Sequence, residues 1–149
     1  MIEYLAGYFD ADGSVGLYRY RAKRSKQGYY HGVRVRVDGT VRRPIELFAE
    51  RFGGSPSIVH RPARQHSQSM LSWTLAGQRT GVFLQAVLPY LTVKRRQVRL
   101  ALRYLRECGK VQPGLNHRWN PISDEVFARR DKYMRWMFQL KRGDISLLS

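Results

Sequence analysis

The stretch Tyr4-Leu5-Ala6-Gly7-Tyr8-Phe9-Asp10-Ala11-Asp12-Gly13 organises the reading of this 149-residue chain. Ile2, Leu5, Ala6 and Phe9 recur at helical spacing, which predicts one apolar face of a short helix. Tyr4, Gly7, Tyr8 and Ala11 form a second apolar face. A helix that is apolar on both sides is expected to be buried on both sides. The small pair Ala6-Gly7 would let another backbone approach closely, and Gly13, tolerant of positive φ, is expected to end the helix. Asp10 and Asp12 then stand at the C-terminal end, where the helix dipole disfavours negative charge. Asp12 therefore needs a compensating partner, such as a metal ion.

The length fits one domain with a real core, and an ordinary apolar content argues against disorder. A net charge of +16 is not ordinary for this size. It implies a polyanionic partner, nucleic acid before an anionic membrane surface. The cations are spread through the strands and helices, which favours a shaped basic surface over a disordered arm. Cys108 is the one cysteine. An internal disulfide is thereby excluded, and an intracellular, reducing compartment is expected, organellar or prokaryotic. No apolar run approaches membrane length and no targeting segment is evident.

After Gly13 the pattern turns to alternation. Val15, Leu17 and Arg19 point to one side, with Arg19 near the strand end where it reaches water. Gly16, Tyr18 and Tyr20 point to the other. A basic loop over 21–28 leads to a second strand, where Val33, Val35 and Val37 alternate with Arg34 and Arg36. Surface arginines are commonly just solvated. Here the neighbouring strand adds Tyr18 and Tyr20, and the combination suits a nucleic-acid groove, where arginine reads guanine edges or holds phosphates. Asp38-Gly39 reads as a turn. A helix is expected over 41–52, with Pro44 in its first turn, a core stripe of Ile45, Phe48, Ala49 and Phe52, and a stop at Gly53-Gly54. Segments 57–61 and 70–75 read as a second hairpin. In it Leu71, Trp73 and Leu75 face the core, and Met70, Ser72 and Thr74 face outward. Arg61 and Arg64 lie at and beyond its first strand. Helices follow over 80–88, after 94 (with Val98, Ala101, Leu102 and Leu105 on one face) and over 123–140 (with Val126, Phe127, Tyr133, Met134, Met137 and Phe138).

Other chemistries lack support. His31, His60, His66 and His117 have no metal-finger spacing, and one cysteine cannot assist them. There is no Walker loop or dinucleotide fingerprint. No Ser-His-Asp set can be nominated. The N-terminal motif occurs once, and no flanking residues suggest an intein.

Leu5 through Gly13 resembles the signature of the LAGLIDADG homing endonucleases, with Tyr8 and Phe9 in its variable hydrophobic positions. Intron maturases share the motif. The resemblance implies an α+β fold of α-β-β-α-β-β-α order, with a saddle-shaped antiparallel sheet for DNA and additional C-terminal helices. Residues 1–108 would form this core, and 109–149 a linker and a helix packed on it. A single motif implies a C₂ homodimer joined through Tyr4, Gly7, Tyr8 and Ala11, which brings two Asp12 carboxylates together. Asp12 and the carbonyl of Ala11 would hold Mg²⁺ or another divalent cation. Lys94, following Pro89-Tyr90-Leu91, resembles a lysine kept near the cleavage site; the alternatives are a phosphate contact or plain solvent. Asp38 with Arg42 or Arg43 would position water, unless Asp38 is a turn former or the register shifts by one. Tyr18, Tyr20, Arg34, Arg36, Arg61, Arg64, Ser72 and Thr74 would face double-stranded DNA, a long near-palindromic target. The expected function is a site-specific, metal-dependent DNA endonuclease of the homing type. The alternative is an RNA maturase or a non-cleaving DNA-binding protein of the same fold.

Overall fold

The computed structural model describes residues 1–23, 25–59, 69–108 and 122–143. Helix α1 (Ile2–Asp12) leads into an antiparallel hairpin, β1 (Gly13–Arg21) and β2 (Tyr29–Gly39). Helix α2 (Arg42–Phe52), β3 (Ser57–Val59), β4 (Met70–Ala76) and α3 (Arg79–Val87) follow. A 3-10 turn over Leu88–Tyr90 separates α3 from α4 (Arg95–Cys108), and α5 (Asp124–Lys141) is the last helix. The expected α-β-β-α-β-β-α order is present, with further helices after it. The four strands form one antiparallel sheet in the order β1-β2-β4-β3.

Alternation fixes the two faces of this sheet. Val15, Leu17, Val33, Val35, Val37, Trp73 and Leu75 are all buried against the helices. Leu5, Ala6 and Phe9 bring the inner face of α1 into the same core. Phe9 meets Phe83 edge-on with ring centroids 5.0 Å apart, and Phe48 stacks on Trp73 at 5.0 Å. Each of these fully buried side chains contributes about 1.5–3 kcal/mol through removal from water. The indole of Trp73 also donates to the carbonyl of Gly53 at 2.9 Å, tying the end of α2 to β4. Gly53 and Gly54 have φ of 83° and 85°, a backbone conformation that favours glycine, and α2 stops there as its sequence predicts.

Several expectations need correction. Gly13 is extended (φ −81°, ψ 171°), so positive φ is not why glycine follows α1. Space is the reason: a Cβ there would lie 2.2 Å from the Phe9 ring. Asp38 and Gly39 belong to β2, opposite Ser72 and Leu71, rather than to a turn. Strand β2 also begins earlier than its valines, at Tyr29. Helix α4 buries Tyr104 and Cys108 beside Val98 and Ala101, whereas Leu102 and Leu105 are only partly buried. In α5 the buried residues are Asp131, Tyr133 and Met137, and Val126 and Phe138 are exposed. Helix α5 packs against α4 and β1. The Ser123 hydroxyl caps it by accepting from the Val126 N–H.

Candidate active site and nucleic-acid face

The two acids that close α1 have opposite environments. The Asp10 carboxylate accepts from the backbone N–H groups of Thr92, Val93 and Lys94 at 2.8–3.1 Å. The Lys94 carbonyl accepts from the Val98 N–H at 2.9 Å, which opens the first turn of α4. Asp10 thus caps α4 from another element, at the positive end of that helix. Burial works against its charge, but the N–H groups of Val93, Lys94 and Thr92, with the Lys94 charge, hold its carboxyl below the usual range. The Lys94 ammonium returns to the same residue, donating to the Asp10 carbonyl at 2.5 Å. Burial draws the Lys94 ammonium below its ordinary range, and Asp10 and Asp12 act against that pull.

Asp12 sits on the exposed last turn, at the end where the dipole disfavours it. Among the described residues it has no hydrogen-bond or ion-pair partner. Ala11 beside it is also exposed, so a carboxylate and a last-turn carbonyl are both accessible. These are hard oxygen donors of the kind Mg²⁺ takes, and two of them leave positions for water and phosphate oxygens. Among the described residues no group of three acidic, histidine or cysteine side chains could hold a metal alone. Any cation bound here would need further oxygen donors from outside the described side chains, water among them.

The β1–β2 register carries this corner onto the sheet. Gly13 pairs with Val37, so Asp12 and Asp38 are the next residues out on the adjoining segments. Asp38 accepts from the Arg36 Nε at 2.8 and 3.1 Å. Arg36 is thus ion-paired within the protein. Arg42 opens α2 and pairs with Glu46 at 3.2 Å, and Arg43 pairs with Glu50 at 2.7 Å.

The sheet face turned away from the helices carries most of the predicted DNA-facing set. Register places Tyr20 opposite Tyr30, Gly16 opposite Arg34, and Arg36 between Ser14 and Thr74. The Arg34 guanidinium lies over the Tyr18 ring at 4.2 Å, and Tyr20 stacks on Tyr30 at 5.2 Å. Tyr30 is 51% exposed and was missed by starting the strand at Val33. Its alternation with Gly32 and Arg34 was the available signal. Thr74 is exposed as expected, but Ser72 is only 3% exposed. It lies between Asp38 and Ser57 on the flanking strands, which cover it. Arg61 and Arg64 lie outside the described residues.

The second face of α1 is not buried within one chain. Tyr4 is 51% exposed, Gly7 is exposed with open space where a Cβ would stand, and Ala11 is exposed. Tyr8 is an exception. It packs edge-on against Phe48 at 6.0 Å, and its hydroxyl fills the space beside Gly39. The small pair is also split, because Ala6 faces the core and only Gly7 faces out.

No protein-family model matches the sequence. No curated protein matches it either. Solved structures do. The homing endonuclease I-CvuI, in complex with its target in the presence of calcium, is similar with a TM-score of 0.73 and 19% identity, covering 93% of this chain and 80% of that one. The archaeal intron-encoded homing endonuclease I-Vdi141I, complexed with DNA, gives 0.67 and 15% identity over 93% and 82% of the two chains. The homing endonuclease I-TnaI gives 0.59 and 16% identity over 95% and 94%. The chain has the LAGLIDADG homing-endonuclease fold.

Proposed function

We propose that this protein is a site-specific, metal-dependent DNA endonuclease of the homing type that acts as a homodimer. The observation that carries this reading is Asp12, an exposed carboxylate with no described partner at the unfavourable end of a helix, beside a lysine held in place by Asp10. The neighbouring sheet face of tyrosine and arginine, the net charge of +16 and a fold shared with DNA-bound homing endonucleases support it.

Asp12 and the Ala11 carbonyl would hold a divalent cation. Bound there, the cation polarises the scissile phosphate and makes a water more acidic. Lys94 stands beside that position to meet charge developing on phosphate oxygens. Asp38, oriented by Arg36, is the polar group placed to hold a water, and Arg42 lies one short connection further on. Arg34, Tyr18, Tyr20, Tyr30 and Thr74 contact the DNA. Two chains meeting at Tyr4, Gly7 and Ala11 would bring two Asp12 residues together, each serving one strand of a near-palindromic duplex. Tyr8, already packed inward, contributes less than the other three.

The test begins with selection of bound duplexes from a random DNA library, followed by incubation with Mg²⁺. Double-strand cleavage that stops with chelator supports the proposal. Tight, site-selective binding without cleavage would favour the maturase or DNA-binding alternative. Gly7→Trp should convert dimers to monomers in sedimentation, because the indole fills the space a partner helix needs. An intact, active Gly7→Trp dimer would move the interface elsewhere.

A further inference from the structure

Helices α2 and α4 both show arginines to solvent, but they balance them differently. In α2, Arg42 pairs with Glu46 at 3.2 Å and Arg43 with Glu50 at 2.7 Å. In α4, Arg95, Arg96, Arg99, Arg103 and Arg106 are all exposed, and Glu107 is the helix's acid. Arg95, Arg99 and Arg103 recur at every fourth residue, so they form a row along one side of the helix with a step of about 6 Å. Like charges so placed oppose helix formation. Arg95 and Arg96 also stand at the N-terminal end, where the dipole disfavours cations. Neither they nor Arg99 pair with a carboxylate among the described residues.

The row leads into a groove between α4 and α5. Its volume is about 380 Å³, and its lining includes Arg103, Glu107, Arg129, Lys132, Tyr133 and Trp136. Glu107 is already engaged: it accepts from the Tyr133 hydroxyl and, at 3.1 Å, from the Arg103 Nε, and Arg106 lies 3.9 Å away. Arg129 and Lys132 are exposed and pair with no carboxylate among the described residues. Cations alternate with aromatic rings across the groove. Arg103 lies over Tyr133 at 5.8 Å, Tyr133 meets Trp136 edge-on at 5.1 Å, and Lys132 lies over Trp136 at 4.9 Å. The groove belongs to the helical layer. Asp131, next to Lys132 in α5, bonds His31 and Arg19 on the helix-covered side of the hairpin, whereas Tyr18, Tyr20 and Arg34 are on the other face of the sheet.

We propose that the α4–α5 groove is a second nucleic-acid site, which takes a single-stranded polynucleotide with a base against Trp136 and phosphates at Arg129, Lys132 and the α4 arginines. The aromatic rings select this occupant. A duplex offers phosphates but keeps its base faces stacked, and an acidic peptide would satisfy the cations alone. An unpaired strand offers both phosphates and base faces. The site lies across the sheet from the proposed duplex face and does not depend on cleavage.

The experiment uses the full chain and a labelled mixed-sequence oligonucleotide of about 12 nucleotides, in RNA and DNA forms. Binding is read by fluorescence anisotropy across a salt series, with folding of each variant checked by circular dichroism. The parent should bind the strand, and a duplex that the parent selects should not displace it. Arg129→Gln/Lys132→Gln should bind the strand about 10-fold more weakly, with the slope of log affinity against log salt shallower by about 1.4, the share of two single-strand phosphates. Trp136→Leu keeps an apolar side chain but removes the stacking face, and should lose about 10-fold at an unchanged slope. Both variants should hold the duplex as the parent does. Preference for the RNA or the DNA form identifies the source of the strand and supports the proposal either way. Parent-like strand binding by the double variant or by Trp136→Leu would overturn it. So would displacement of the strand by duplex, which places the strand on the sheet face, or by poly-glutamate at equal charge, which marks a general polyanion surface.

Discussion

The β1–β2 hairpin meets an aspartate at each end, and the two meet opposite fates. At the Tyr29 end, Asp131 of α5 is buried and saturated. It bonds His31 Nε2 at 3.2 Å, Arg19 at 3.4 Å and Arg135 at 3.0 Å. Phe127 closes over the imidazole, with ring centroids 4.8 Å apart. At the Gly13 end, Asp12 is exposed and has no described partner. One acid anchors a helix to a hairpin. The other meets no side chain among the described residues. The sorting criterion is pairing rather than burial alone. Arg36 and Arg42 are accessible but ion-paired, whereas Arg34 makes no ion pair with a carboxylate among the described residues.

The sharpest way to break this comparison is to remove the saturated acid. Asp131→Ala leaves a buried imidazole and Arg19 without their acceptor, and the expected cost is about 3 kcal/mol of stability. Urea unfolding would measure it. An unchanged midpoint would mean that α5 does not depend on the cluster. Asp10 is the next test, since it is saturated although it neighbours Asp12. Asp10→Asn places an amide where three N–H groups need an acceptor, and should cost about 2 kcal/mol. Its depressed carboxyl contributes stability above the ordinary carboxylate range, and this is lost as pH falls through the folded value. Asp10→Asn should therefore unfold with a weaker acid dependence than the parent.

A smaller effect sharpens the Asp131 end. Burial lowers the affinity of His31 for a proton, outweighing the hydrogen bond and charge of Asp131; Arg130 and Arg19 add to the lowering. The unfolded chain then binds a proton near pH 6.5 that the folded chain still refuses. Stability is fully present above that value and declines as pH falls toward the lower folded value. In His31→Gln the decline between neutral and mildly acid pH should flatten, as read by thermal unfolding monitored by circular dichroism. An identical slope in both proteins would show that His31 titrates as it does in water.

The two ends were not equally legible in the sequence. The Gly13 end is local. Helical spacing gave the inner face of α1, strict alternation gave the valines of β2 and the outward Tyr18, Tyr20 and Arg34, and Asp12 stood out against its dipole. The Asp131 end depends on a contact between residues 100 positions apart, and no periodicity marks it. An acid within an apolar stripe reads as a solvated interruption until its partners are known. The capping of α4 by Asp10 across 84 positions escaped notice for the same reason. Ser72 shows a different limit. Alternation assigned its side of the sheet correctly, but its cover comes from flanking strands, which one strand's pattern cannot report.

The central claim is that Asp12 is kept open for a metal. Asp12→Asn is nearly isosteric and removes one repulsion from phosphate, so it should fold normally and keep site-selective DNA binding. The direct measurement is Mg²⁺-dependent strand cleavage by this variant, in single turnover, on a duplex it demonstrably binds. A loss of more than about 10²-fold, with binding intact, is the result expected when a metal-holding group is removed from the reacting centre. Turnover near the parent rate would make Asp12 a structural residue and contradict the account.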